Sequence, residues 1–344
     1  MELRGPRLEL PAFALALALA TPALARPLTL TPVGNPIPGV GPVGLTVAET
    51  RGGTYVIVGD HQGNTVRSLR LDRGTGALTP IGSIPLANGP SALAVSRNGQ
   101  FVVAATLRGN DVTSLRLDAG TGALSPIGSV PSGGSGPLAV AINDNGVVVV
   151  ANKDSDSVGV LQLDPQTGAL RPIGSHTVST GPASITISGN QVVVGTSISN
   201  DVHLLRLDRV GALYPVDSAA IGARITSVAT SANGNVLAVG TYPNGDVHGF
   251  VVGPRRLLSI GSTNTGGDIT SLTISEGRLF VAGIQPARVA SFELDRHGLQ
   301  QTGNLAMTGL SSRTLAAVGG PGRTSYVIVN EYNNNQTLVV KAAP

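Results

Sequence analysis

The stretch LDRGTGALTPIGSI at Leu71–Ile84 returns as LDAGTGALSPIGSV at 117–130 and as LDPQTGALRPIGSH at 163–176, each copy 46 residues after the last. A degraded copy, LDRVGALYPVDSA, starts 44 residues further on at Leu207. Self-similarity at a fixed period of this size marks a solenoid, a propeller or an array. The unit between Gly89 and Val130 decides among them. SALAVS (91–96) leads into an Asn98-Gly99 turn, QFVVAAT (100–106) into Arg108-Gly109-Asn110, and DVTSLRL (111–117) into Asp118–Gly122, before ALSPIGSV ends the repeat. None of these short runs has helical spacing, and the third alternates with period 2. The residues between them supply positive φ or bond their own backbone. Four antiparallel strands in about 45 residues make a propeller blade.

The glycine of the outer run counts the blades. Gly82, Gly128, Gly174, Gly261 and Gly303 mark five copies, and Asp217 stands where another is due. LTPVGNPIPGVGP (30–42) aligns with LTPIGSIPLANGP (78–90), which adds Gly34. The last inner runs, TLAAVGG, TSYVIVN and QTLVVKAA, end the chain with no outer run after them. The expected fold is all-β: a seven-bladed β-propeller of four-stranded antiparallel blades, closed by an N-terminal outer strand, Leu28–Asn35, pairing with the C-terminal blade. Without that closure a free edge would template aggregation.

Residues 1–25 read as a secretory signal peptide. Arg4 and Arg7 precede the apolar run Ala12–Ala20, Ala23-Leu24-Ala25 fits the cleavage rule, and the run is too short to span a bilayer. Residues 26–344 then form a single propeller domain, and the chain is expected to be exported, periplasmic or at the cell surface, with no membrane span after cleavage. The chain has no cysteine, so disulfides play no part. A net charge of +3, 3% aromatics and no Trp argue against nucleic acid, which needs a clustered basic face or stacking platforms. A monomer without a cofactor is expected.

The pattern GP-x-x-LAVS-x-NG-x-FVVA, N-D-V-x-S-LRLD-x-x-TGAL-x-PIGS resembles the seven-bladed propeller lactonases, which include bacterial 6-phosphogluconolactonases and fungal muconate-lactonising enzymes. TYVIVGD…NTVRSLRLD (54–72) and VVVVANKDSDSVGVLQLD (147–164) are also similar to the YVTN-type propellers of cell-surface proteins. The resemblance implies a seven-bladed ring and, in the lactonases, hydrolysis of a sugar lactone. Lactonase relatives often carry a His after the Pro that starts the inner strand. Here that position holds Val43, Ser91, Leu138, Ala183, Thr226 and Thr270.

Few residues are left to carry chemistry. His203 and His248 lie in third strands, His176 ends an outer strand and His297 sits in a turn; His61, in GDHQGN, alone is placed toward a ligand-side surface. The repeated Asp72, Asp118, Asp164, Asp208 and Asp295 read as turn caps. Asp111, Asp201 and Asp246 read as organisers of the turns before third strands. Asp154 and Asp156, beside Lys153, are the densest acidic pair but fall short of a metal site, which wants six to eight oxygen ligands. The best binding set lies where inner strands begin. Arg224 and Asp268 take the place of Gly89, Gly136 and Gly181, and Arg313 lies near the same point in the last blade. These groups should gather at one channel mouth, as a binding site or as an inter-blade ion pair. The leading expectation is an exported, non-catalytic binding or scaffold module for a small anionic molecule or a cell-surface or periplasmic protein. The alternative is a lactonase-type hydrolase, with Arg224 and Arg313 holding the carboxylate or oxyanion and His61 or Asp268 as base.

Overall fold

The computed structural model describes residues 27–295, 298–307 and 312–344; the expected signal peptide and His297 lie outside them, as do the side chains of Asp295 and Arg313. The described strands form seven four-stranded antiparallel sheets. Blade 1 runs outward from Pro42–Thr50 through Gly53–Asp60 and Thr65–Leu71 to Leu78–Pro85. Blades 2 to 6 repeat this order from Pro90, Pro137, Pro182, Arg224 and Ile269. Blade 7 contributes Ser312–Gly319, Ser325–Glu331 and Gln336–Ala343, and takes its outer strand from Thr29–Pro38. Thr29 pairs with Ala343 and Pro38 with Gln336, across an irregularity between Val33 and Ile37. The ring closes as the repeat count requires, and the closing strand runs past Asn35 to Pro38.

Burial follows from position in the blade. Second strands such as VVVVAN (147–152) lie between neighbouring blades on both faces, so they read as unbroken β-branched runs. Outer strands keep only about every third residue half-buried and are otherwise exposed. Seven apolar clusters fill seven junctions between blades. Tyr55 and Ile57 of blade 1, for example, pack with Leu93, Val102 and Leu115 of blade 2. Leu28 and Leu30 pack with Phe280 and Val289 of blade 6 and with Val327 and Val329 of blade 7. The N-terminal segment therefore pairs its backbone with one blade and buries its leucines at the junction with another.

Two polar devices align the blades. An aromatic at the start of the second strand plugs the turn of the following blade: Tyr55 Oη donates to Gly120 O at 2.8 Å, Tyr326 Oη to Gly74 O at 3.2 Å, and the Phe101 ring lies 2.4 Å from where a Cβ on Gly168 would fall. Asp217, which replaces the marker glycine in blade 4, accepts a hydrogen bond from Leu257 N of blade 5 at 2.7 Å.

Deleting residues 29–38 should expose the Gln336–Ala343 edge and remove buried leucine from the junction of blades 6 and 7. The variant is expected to aggregate or to melt about 10 °C or more below the intact chain. Light scattering and calorimetry measure both; a monomeric variant with an unchanged transition would refute the closure.

Candidate functional site

Every inner strand begins with one bulged residue: Val43, Ser91, Leu138, Ala183, Thr226, Thr270 and Arg313 in blades 1 to 7. A bulge re-aims side chains and ends regular pairing. These strands surround a central cavity of about 420 Å³, to which all seven contribute lining residues. Hydroxyls at its mouth tie the blades together. Ser91 Oγ donates to Pro137 O and Thr226 Oγ1 to Ile269 O, both at 2.7 Å, and Thr314 Oγ1 donates to Val43 O. One step further in, the hydroxyls of Ser184, Ser227 and Ser271 accept from Val228 N, Leu272 N and Leu315 N at 2.8, 3.0 and 3.0 Å. Most polar groups of the wall are thus occupied in holding the ring.

Arg224 stands apart from them. In blades 1 to 4 its place is taken by Gly41, Gly89, Gly136 and Gly181, with φ of 62°, 62°, 66° and 74°. A Cβ on Gly89 would fall 2.4 Å from His61 O, so both conformation and space demand glycine there. In blades 5 and 6 the left-handed glycine moves two residues upstream, to Gly222 and Gly266, with φ of 76° and 79°. Positions 224 and 268 are then free to carry side chains. Arg224 pairs across the ladder with Tyr242, and its guanidinium lies 5.6 Å from the centre of that ring. Arg224, Tyr242 and Lys153 all line the cavity. A guanidinium lying over a ring keeps its in-plane N–H donors for a ligand.

The other expected residues are placed differently. Asp268 is absent from the cavity lining, and the ion pairs among the described residues do not join it to Arg224. It acts instead on Arg288, whose Nη2 donates to Thr265 Oγ1 at 2.6 Å and Gly267 O at 3.2 Å. Burial pushes the Arg288 pKa below the ordinary arginine range, and the Asp268 charge opposes that shift. Arg313 is not the counterpart of Arg224; the register makes it the bulged residue of blade 7, two places further along. His61 Nδ1 lies 3.3 Å from Pro90 O and is outside the cavity, as are His176, His203 and His248. Asp156, at φ 50°, accepts from Gly181 N at 2.8 Å, and Asp154 lies where a Cβ on Gly136 would be 2.4 Å from its Oδ2. The Asp156 carboxylate thus serves a turn, and no cluster of three or more His, Cys, Asp or Glu fit to hold a metal occurs among the described residues. Lys153 and Tyr242 were not anticipated. Lys153 falls in the short 3-10 turn after Asn152, and Tyr242 gains its role only through being opposite Arg224.

Of the repeated aspartates, Asp72, Asp118, Asp164 and Asp208 are turn caps. Asp118 Oδ1 accepts from Thr121 N at 2.7 Å and Gly120 N at 3.0 Å, and Asp72, Asp164 and Asp208 accept from equivalent amides. These backbone donors hold all four carboxyls below the usual Asp pKa. A carboxyl lowered in the folded chain stabilises it above the unfolded pKa, about 3.9, and that contribution is lost as pH falls through the folded value. The melting temperature of Asp118→Ala should lie below that of the intact chain at neutral pH and converge with it under acid conditions below both values. Thermal melts across a pH series measure this; a gap that persists in acid would remove the carboxylate from the account.

Residues 81–187 match the family model described as Lactonase, 7-bladed beta-propeller. No curated protein matches the chain. Among solved structures, a protein from Bacteroides uniformis ATCC 8492, provisionally described as a 6-phosphogluconolactonase, aligns with a TM-score of 0.70 at 21% identity, over 80% of this chain and 87% of its own. One so described from Bacteroides fragilis NCTC 9343 gives 0.68 at 18% identity, over 93% and 92%. Sqt1 of Saccharomyces cerevisiae gives 0.68 at 12% identity, over 92% and 100%. At these identities the likeness is one of fold. The chain is a seven-bladed β-propeller that resembles the propeller lactonases, most specifically over residues 81–187.

Proposed function

We propose that this chain is a non-catalytic binding module that takes a small anionic ligand at the channel mouth, beside Arg224 and Lys153. The observation that carries the reading is the charge of the cavity: its described lining includes these two cations and no carboxylate or histidine. Neither cation belongs to an ion pair among the described residues. A cation held in a concave, partly apolar wall gains from an anion more than it would at an open surface. Arg224 offers a planar fork suited to carboxylate or phosphate, and Tyr242 fixes its plane. The second reading, lactone hydrolysis, is favoured by the family match. It lacks support at the bulge positions, none of which is a histidine able to exchange a proton with substrate.

A thermal-shift screen tests the two together. Carboxylates and phosphates at about 100 times their Kd should add roughly 2.7 kcal/mol of stability to the intact chain and much less to Arg224→Ala or Lys153→Ala. Arg224→Ala without ligand should melt close to the intact chain. If no anion moves the transition while Arg224→Ala lowers it by several degrees, Arg224 is structural. Gluconolactone and simple γ- and δ-lactones should be turned over far below about 1 s⁻¹ in a pH-indicator assay. Faster turnover that is lost in His61→Ala would replace binding with hydrolysis.

Export belongs to the same proposal. It is supported by Arg4 and Arg7 ahead of the apolar run, and by Ala23-Leu24-Ala25. No helix of the described residues is long and apolar enough to cross a membrane. Mass spectrometry of the chain recovered from outside the cytoplasm should find it starting at Arg26; an intact N-terminus there would contradict cleavage.

A further inference from the structure

A second cavity, of about 1010 Å³, opens at the opposite end of the strands from the channel mouth, under the turns of blades 3 to 5. Its origin lies in the repeat. The aromatic plug of blades 7, 1 and 2, which is Tyr326, Tyr55 and Phe101, becomes Val147 in blade 3 and Gln191 in blade 4. Val147 lines the cavity that the missing rings leave.

The wall of this cavity is cationic. Arg206, Arg209 and Arg255 line it, with Asn145 and Gln162 among the amides beside them. Asp208 is the one carboxylate in the described lining, and it is already occupied by Val210 N, Ala212 N and Tyr214 Oη at 2.9, 2.8 and 3.2 Å. Arg206 Nη2 donates to Pro254 O at 2.9 Å, the same seam that Arg116 makes with Thr167 O, but Arg206 Nε is buried without a hydrogen-bond partner. Arg209 and Arg255 are exposed and belong to no ion pair among the described residues. The fold does not require charge there. Blade 5 has Gly253 where the turns of blades 1 to 4 carry a capping aspartate, and Gly253 N closes the turn directly on Arg256 O at 2.9 Å.

The same face is apolar at its rim. Of the five large hydrophobic residues exposed among the described residues, Val210 (77%), Tyr214 (54%) and Leu258 (40%) belong to the lower turn of blade 4 and to the outer strands of blades 4 and 5. We infer that this face docks an extended acidic peptide segment of another protein. Its carboxylates lie on Arg206, Arg209 and Arg255, and one of its apolar side chains packs on Tyr214. Guanidinium forks take carboxylates two bonds at a time, and a tyrosine supplies contact area at low entropic cost. A free oxyanion would engage one fork and leave Val210, Tyr214 and Leu258 in water, whereas a peptide covers both parts of the surface.

The test uses fluorescein-labelled Glu-Glu-Phe-Glu-Leu-Glu-Glu, its analogue with Lys for every Glu, and its analogue with Ser for Phe and Leu, titrated by anisotropy against the chain lacking residues 1–25. The acidic apolar peptide should bind, the Lys analogue should not, and the Ser analogue should bind more weakly. The double variant Arg209→Glu with Arg255→Glu should weaken binding at least about tenfold, and Tyr214→Ser by roughly threefold, with the melting temperature unchanged. Should the double variant melt lower, the exposed single change Arg255→Glu, showing the same direction of loss, decides. No binding by the acidic peptide at millimolar concentration, or equal binding by the double variant, overturns the inference. So does displacement by about 10 mM inorganic phosphate as effective as that by unlabelled peptide, which would reassign the cavity to free anions.

Discussion

The pairing of Thr29–Pro38 with Gln336–Ala343 is the constraint on which the rest of the ring depends. No blade has a core of its own: each apolar layer lies between two blades, so an open ring would leave one layer without its second face. Bringing ends this far apart in sequence together costs on the order of 5 kcal/mol in chain entropy. Burying Leu28 and Leu30 returns an amount of the same order. Because those leucines sit between blades 6 and 7, closure is felt at two blades at once.

Within the closed ring the two ends differ in what holds them. At the channel mouth, serine and threonine hydroxyls carry the blade-to-blade hydrogen bonds, and charge enters the described cavity lining at Arg224, where the chain's approach to the inner strand changes, and at Lys153, in the turn after Asn152. At the other end, aspartate caps and aromatic plugs make each turn self-sufficient in blades 1 and 2. The plug lapses at the turns of blades 4 and 5, and the cap at that of blade 5, and there arginines and uncovered apolar residues collect. Departures from the repeat therefore concentrate in one sector of the ring.

The 46-residue period, the marker glycines and the duplicated N-terminal run made the blades, their number and their closure legible in the sequence, since each depends on local turn chemistry repeated at fixed spacing. The turn-capping role of Asp118 and its counterparts was legible for the same reason. The site was less so. Arg224 and Asp268 share a sequence position, but one lies over Tyr242 and the other acts on Arg288, because their partners come from second and third strands whose residues do not repeat. Arg313 was placed only near that point, and the ladder puts it two places further along; blade 7, like blades 5 and 6, lacks the Gly-Pro approach that marks the register in blades 1 to 4. The bulge at each inner strand leaves no mark in hydrophobic periodicity at all.

The upstream shift of the left-handed glycine to Gly222 and Gly266 separates two jobs that blades 1 to 4 combine at one residue: turning the chain inward, and presenting a group to the axis. Once separated, the second job is open to any amino acid, while the hydrophobic layers beneath remain as they were. In blade 5 the freed position puts Arg224 in the wall of the axial cavity, whereas in blade 6 Asp268 acts on Arg288, so the turn decides whether a side chain is carried and its neighbours decide whether it reaches the axis. Exchanging the turn thus adds or removes a side chain without touching the hydrophobic layers, a form of modularity whose outcome is set by the strand residues the new group meets.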